Sequence, residues 1–270
     1  MAVILITSAT GKVAEATFAA LRGSGHGLIA LVRNPDKAQA LQAQGITVRR
    51  GDLERPHTLE GAFDGVDRAL IIAPAGYMAP ALASNALWAA RQARVGHIVR
   101  LSAVGAAHDA PTVNSRLHAL SDSELLASGI AHTILKPHFF SQNLLGMASQ
   151  IKSQGAFSFA LGEATLPIID VRDIGAVAAA ILGAPAGHAG KVYTLTGPEA
   201  VSMHGVAAAL AQATGKAVKY VPVPVAQATA AMEQHGADVY TVAAMRDYLT
   251  AYSRNWQNTP TPAVAQITGN

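Results

Sequence analysis

The 270-residue chain has no cysteine. That absence excludes disulfides, thiolate metal sites and thiol nucleophiles. Charge is scarce: Asp, Glu, Lys and Arg make up 14% of the residues, and half the chain is hydrophobic. A disordered chain would show the reverse balance. The net charge of +3 is small, and no cluster of five Lys or Arg occurs. Nucleic acid is therefore not an expected partner. No apolar run is long and unbroken enough to span a bilayer. Met1–Gly11 is apolar, but it has no basic leader and is too short for a signal peptide. The expectation is a soluble, cytoplasmic protein. The ten histidines are scattered, with no His-Glu-x-x-His and no clustered carboxylates, so no metal site is expected. Gly-x-Ser-x-Gly elbows and Walker loops are missing too.

What is present is an alternation. Short β-branched runs at Val3–Thr7, Leu28–Arg33, Ile46–Arg50, Arg68–Ala73, His97–Ser102 and His132–Leu135 read as strands. Between them, Lys12–Arg22, Pro35–Gln44, His57–Phe63, Ala79–Arg94 and Asn114–Ala127 read as helices. Strands apolar on both faces and separated by helices pair in parallel, with helices on each side. The fold class is α/β, a Rossmann-type doubly wound parallel sheet. Asn34-Pro35 places a capping residue before a proline at the first helical position.

After residue 150 the alternation loosens. Leu166–Asp170, Val192–Thr196 and Val218–Val223 read as strands among the Ala-rich helices Asp173–Leu182, Met203–Thr214, Ala226–Gln234 and Asp238–Ser253. The expected division is residues 1–150 for a dinucleotide-binding domain and 151–270 for a small C-terminal α/β substrate lobe. The lobe is expected to interleave with the first domain and not to fold alone.

The first strand-to-helix junction, Thr7 to Ala14, carries the most information. A helix N-terminus there points amide donors and a positive dipole end at the turn, which suits a pyrophosphate. A dinucleotide turn wants glycine at three places. Those places hold Ser8, Gly11 and Ala14. The competing reading is a plain loop with capping Ser and Thr residues. Arg33 ends the second strand, where an acid would take the ribose 2′-hydroxyl of NAD and an Arg accommodates the 2′-phosphate of NADP. Lys12 and Lys37 add charge nearby. NADP(H) is thus expected over NAD(H), the alternative being that Arg33 is an ordinary solvated cation.

Thr7–Ala14, Leu31–Ala38, Gly51–Leu53, Ile71–Gly76, Ser128–Leu145 and Pro167–Leu182 together resemble the NmrA-like family of atypical short-chain dehydrogenases. The pattern Ser-Gly-x-x-x-Thr-x-Leu-Lys-Pro-x-x-Phe-x-x-Asn, from Ser128 to Asn143, is the most specific part. The resemblance implies strand order 3-2-1-4-5-6-7 and a small substrate lobe. It implies either NADPH-dependent reduction of quinones, dyes or related molecules, or dinucleotide binding without turnover. Ser8, Thr10, Gly11, Lys12 and Val13 would wrap the pyrophosphate, and Arg33 would hold the 2′-phosphate. Asp52 and Leu53 would flank adenine, and Ala73, Pro74 and Ala75 would lie along its ribose. Ser102 would sit beside the nicotinamide ribose, and Pro137 and Phe139 would shape the nicotinamide end. Ser8, Lys136 and His138 depart from the residues commonest in the family.

No tyrosine is followed by lysine four positions later, so the usual short-chain proton relay is absent. Some relatives carry a catalytic lysine where this chain has His118. A histidine titrates near working pH, and Asp122, at i+4, would orient its ring or raise its pKa. The competing readings are a surface His–Asp pair or a ribose contact. Ser102 is the second catalytic candidate. Phe139, Phe140, Tyr77, Met78 and Met147 are candidates for an apolar pocket or for plain core. Trp88 reads as packing or as part of a homodimer face. The expected function is an NADPH-dependent oxidoreductase passing hydride to a small aromatic or quinone-like acceptor. The alternative is a non-catalytic NADP(H) redox sensor.

Overall fold

A computed structural model of the protein describes residues 1–269. The first half alternates β1 (Val3–Ile6), α1 (Lys12–Leu21), β2 (Gly27–Val32), α2 (Gln39–Gln42), β3 (Thr47–Arg50), β4 (Arg68–Ile71), α3 (Ala79–Gln92), β5 (His97–Leu101), α4 (Val113–Ala127) and β6 (His132–Pro137). Next come α5 (Ala148–Gln154), β7 (Ala156–Phe159), β8 (Thr165–Leu166), α6 (Val171–Gly183) and β9 (Lys191–Leu195). The chain finishes with β10 (Val201–Ser202), α7 (Met203–Thr214), β11 (Lys219–Pro222), α8 (Val225–Gln234), α9 (Val239–Tyr252) and α10 (Ala263–Thr268). No helix among the described residues is long and apolar enough to cross a membrane.

Seven parallel strands form the central sheet in the order β3-β2-β1-β4-β5-β6-β9. Alternation within β1 shows why both faces are covered. Ile4 and Ile6 enter one apolar layer with α1 and α6, while Leu5 enters the other with α3. All three are fully buried, each worth about 1.5–3 kcal/mol relative to exposure. Helices α1 and α6 approach closely because Gly175 has no side chain: a Cβ there would lie 2.6 Å from the Ala16 carbonyl carbon.

One strand belongs to a different sheet from the one its sequence implies. Val192–Thr196 was expected in the second lobe, but Lys191–Leu195 is β9, the seventh strand of the main sheet. Its first residues are exposed, as befits an edge strand, which gives it the look of a peripheral element. Two expected helices are shorter. Pro35–Ala38 is a 3-10 turn running into the single-turn α2, and the helix expected at His57–Phe63 is a 3-10 turn over Pro56–Leu59. The cap is as expected, since Asn34 accepts a hydrogen bond from the Asp36 amide at 2.9 Å. Leu166–Asp170 yields only the short β8.

The smaller lobe is built from α5, β7, β8, β10, α7, β11, α8 and α9. Strand β7 pairs in parallel with β11, and β8 pairs antiparallel with β10. A third apolar cluster, with Phe157, Leu161, Met203, Tyr220, Leu249 and Tyr252, holds it together. Helix α10 then returns to pack on α6 and β9. The main sheet does not end at residue 150, since β9 completes it.

Candidate active site

A cavity of about 1140 Å³ opens along the carboxyl ends of the strands, between the sheet and the lobe. Its wall contains every residue expected to hold a cofactor: Ser8, Thr10, Gly11, Lys12, Val13, Arg33, Asp52, Leu53, Ala73, Pro74, Ala75, Ser102, His118, Pro137 and Phe139.

The turn after β1 is tight enough to force an unusual backbone. Ser8 has φ +49°, the left-handed region where glycine is the ordinary choice. Its hydroxyl donates to the Ile72 carbonyl at 2.8 Å, which offsets part of that strain. Thr7 bonds the same residue twice, to the carbonyl at 2.8 Å and from the amide at 2.7 Å. The turn is thereby fastened to the end of β4. Gly11 is favoured by proximity: a Cβ there would lie 3.2 Å from the Ser8 carbonyl oxygen, which would have to give way. Gly11 also caps α1 without any side-chain hydrogen bond. The amides of the first turn are left for an anion in the cavity.

At the end of the cavity beside β2 and β3, Arg33 is largely exposed, and its Nη1 lies 3.7 Å from Glu54 Oε1. Lys12, Lys37, Arg50 and Arg55 share the wall with it, against the carboxylates of Asp52 and Glu54. The Asp52 amide donates to Thr58 Oγ1 at 2.9 Å, and Asp52 Oδ1 accepts from the Glu54 amide at 3.0 Å. This turn holds Leu53 against the core.

The polar group near the end of β5 differs from expectation. Asp122 does not bond His118. Its Oδ2 accepts the Ser102 hydroxyl at 2.7 Å and lies 3.7 Å from Lys136 Nζ. Lys136 Nζ also donates to the Ala106 carbonyl at 2.8 Å. The partner of His118 is Arg100, whose Nη2 lies 3.4 Å from His118 Nδ1. Arg100 is buried and bonds the Leu101 and Ile71 carbonyls. Burial, then the positive charges of Arg100 and Lys136, push the His118 pKa down to about 3. The expected upward shift from Asp122 is therefore reversed, and His118 is neutral at working pH. Burial raises the Asp122 carboxyl, against the pull of Ser102, Arg100 and Lys136. Ser102 has its proton engaged by Asp122, so toward the cavity it is an acceptor.

Beyond Pro137 the wall becomes aromatic. Phe139, Phe140, Asn143, Phe159, Tyr248 and Tyr252 line it. His138 stacks on Tyr252 with centroids 5.1 Å apart, and Tyr252 stacks on Tyr248 at 5.2 Å. His138 Nδ1 accepts the Phe139 amide at 2.8 Å. Of the apolar candidates, Phe139 and Phe140 reach the cavity. Tyr77 and Met78 are exposed beyond it, and Met147 packs into the lobe. Arg100, Asn114, Tyr248 and Tyr252 were missed from sequence. The spacing of Tyr240, Tyr248 and Tyr252 along one helix, in steps of four and eight, was the available signal.

The family model described as the NmrA-like family matches residues 1–261. The chain belongs to the NmrA-like family. Within it, the chain is 38% identical over 233 residues to the NAD(P)H azoreductase of Xenophilus azovorans, covering 86% of this chain and 81% of that one. It is 35% identical over 237 residues to quinone oxidoreductase 2 of Escherichia coli, covering 86% and 82%. The crystal structure of the Escherichia coli NADPH-dependent quinone oxidoreductase in complex with NADPH superposes with a TM-score of 0.88 at 30% identity, covering 99% of this chain and 95% of that one. The NmrA-like strand order is the one observed here.

Proposed function

We propose that the protein is an NADPH-dependent reductase that passes hydride to a small, planar, electron-poor acceptor of the quinone or aromatic dye class. The carrying observation is one continuous cavity, walled at one end by an uncapped helix N-terminus and cations and at the other by aromatic rings. Its volume of about 1140 Å³ exceeds the roughly 300–1,000 Å³ of a pocket for one drug-sized ligand. That suits a dinucleotide with a second molecule beside it. The relatives named above, an azoreductase and a quinone oxidoreductase, support the same class.

The residues fit a dinucleotide. The first-turn amides of α1 and the Ser8–Val13 turn would hold the diphosphate. Arg33, with Lys37 and Lys12 alongside, would hold a 2′-phosphate, which is the basis for preferring NADP(H). Asp52 and Leu53 would bound the adenine, and Ala73–Ala75 its ribose. When bound, the nicotinamide supplies the hydride. Ser102, an acceptor because Asp122 holds its proton, would take a ribose hydroxyl. Arg100 donates to Nδ1 of His118, so the ring's proton sits on Nε2. His118 is then a neutral donor to the ribose or to negative charge developing on the acceptor. No strong acid is needed for hydride transfer to an electron-poor ring, which matches the missing Tyr/Lys pair. Pro137 and Phe139 would keep water from the reacting face.

The test is a fluorescence titration with NADPH, NADP, NADH and NAD, followed by acceptor-dependent loss of NADPH absorbance across quinones and azo dyes. Micromolar NADPH binding with a preference of at least about tenfold, equivalent to about 1.4 kcal/mol, is expected. Turnover should show no histidine limb above about pH 5. Failure of all four nucleotides to bind would overturn the reading.

A further inference from the structure

A short hydrogen-bond chain joins α9 to α4 on the substrate side of the cleft. Tyr240, in the first turn of α9, donates its hydroxyl proton to Asn114 Oδ1 at 2.5 Å. Asn114, in the first turn of α4, donates from Nδ2 to the Tyr248 hydroxyl oxygen at 2.8 Å. A second tie, from the Val113 amide to Asp247 Oδ2 at 2.8 Å, fixes the two helices beside it. A tyrosine hydroxyl has one proton to give. Tyr240 gives its own to Asn114. Tyr248 receives a hydrogen bond, and its proton has no acceptor among the described residues. Asn114 and Tyr248 line the cavity, whereas Tyr240 stands behind them.

The donor is also held in place. The Tyr248 ring stacks on Tyr252 with an interplanar angle of 24°, and Trp256 packs against both. Tyr252 is in turn stacked on His138, at the end of β6. Burial raises the Tyr240 hydroxyl to about 12, so the far end of the chain keeps its proton at any working pH. Every link runs one way, toward the cleft.

We propose that Tyr248 selects the hydride acceptor: its hydroxyl proton, directed by Asn114 and Tyr240, bonds a carbonyl oxygen or equivalent acceptor atom on a planar substrate. This rests on the reductase reading for the reaction itself. Tyr248 is the specificity residue, and Asn114 and Tyr240 are positioning residues. The site then favours quinones over electron-poor rings that carry no hydrogen-bond acceptor. Such a ring is a cationic triarylmethane dye with fully methylated nitrogens.

The experiment compares the full-length protein with Tyr248→Phe and Asn114→Asp. A carboxylate at position 114 has acceptors only, so it captures the Tyr248 proton and turns the donor away while leaving the hydroxyl in place. In both variants the ratio of kcat/KM for a naphthoquinone to that for the triarylmethane dye should fall about tenfold, through the quinone KM. NADPH fluorescence reports whether the nucleotide half is intact. An unchanged ratio in both variants would overturn the proposal. Loss in Tyr248→Phe with none in Asn114→Asp would overturn the directing chain. If the unmodified protein reduces neither acceptor, the reductase reading has failed separately. Naphthoquinone binding, read by fluorescence quenching with and without NADP, then decides. About tenfold weaker binding in Tyr248→Phe supports the donor, and equal or absent binding overturns it.

Discussion

The Ser102 hydroxyl donates to Asp122 at 2.7 Å, and the same carboxylate oxygen lies 3.7 Å from Lys136. Asp122 is thus the buried anion that holds a half-buried cation and a strand-end hydroxyl together beneath the cleft. Removing one member of a buried charged set leaves the others uncompensated. Asp122→Ala should cost about 3 kcal/mol. Urea denaturation should show a lower midpoint with an unchanged slope. An unaltered midpoint would mean that Lys136 and Arg100 are satisfied without it.

Three histidines, His97, His118 and His138, make stability fall in mild acid. Burial is the main cause in each, and it lowers His97 and His138 to about 4 and His118 to about 3. Unfolded, each would titrate near 6.5. Between those values the unfolded chain binds protons that the folded chain refuses, so stability rises with pH. It is fully present above about pH 6.5 and is lost as pH falls toward 4, at up to about 1.4 kcal/mol per pH unit for each residue. Asp122, whose carboxyl is raised, opposes this in part. Thermal unfolding midpoints from pH 7 to 4.5 check the direction, and His97→Gln should flatten the slope.

Arg33 is paired with Glu54 across 3.7 Å on an exposed rim. A 2′-phosphate would have to take Arg33 from that carboxylate. Arg33→Ala should reduce the preference for NADPH over NADH about tenfold. Glu54→Gln should act in the opposite direction, tightening NADPH about two- to threefold with little change for NADH. Dissociation constants for both cofactors in the two variants test this. Equal NADPH and NADH affinity in the unmodified protein would sink the Arg33 assignment.

Gly175 sits where α6 touches the backbone of α1. A methyl there would lie 2.7 Å from the Ala16 Cβ and 2.8 Å from the Thr17 amide nitrogen. In an open helix, Gly→Ala stabilises by about 1 kcal/mol. Here the clash with backbone outweighs that gain, and Gly175→Ala should destabilise by about 2–3 kcal/mol. A raised melting temperature would show that the two helices can separate cheaply.

Much of the fold was legible because its signals are local. Inner strands read clearly from runs apolar on both faces, as in β5, where every residue is buried. Edge strand β9 reads as a strand too, over Val192–Thr196, but its exposed Lys191 and Val192 give no sign that it joins the main sheet. That the expected cofactor residues would share one cleft was legible for the same reason: they follow strand ends at fixed positions, and all of them line the cavity. The polar group was misread at one point. Spacing of four places His118 and Asp122 on one side of α4, yet Asp122 turns to Ser102 and Lys136 while His118 turns to Arg100. Spacing within a helix does not say which neighbouring strand supplies the partner. Tyr248 and Tyr252 come from more than a hundred residues beyond β6, and only the folded chain brings them to the cleft.

The late arrival of β9 sets limits on rebuilding the enzyme. After leaving β6 the chain makes α5, β7 and β8, returns for α6 and β9, departs again for β10 to α9, and comes home with α10. A fragment cut at residue 150 would bare the outer hydrogen-bonding edge of β6 and the face of α1 that α6 covers. Such an edge is a template for pairing with other chains. To give this scaffold a new acceptor pocket by grafting, a designer would replace two separate segments and leave the stretch from α6 to β9 untouched.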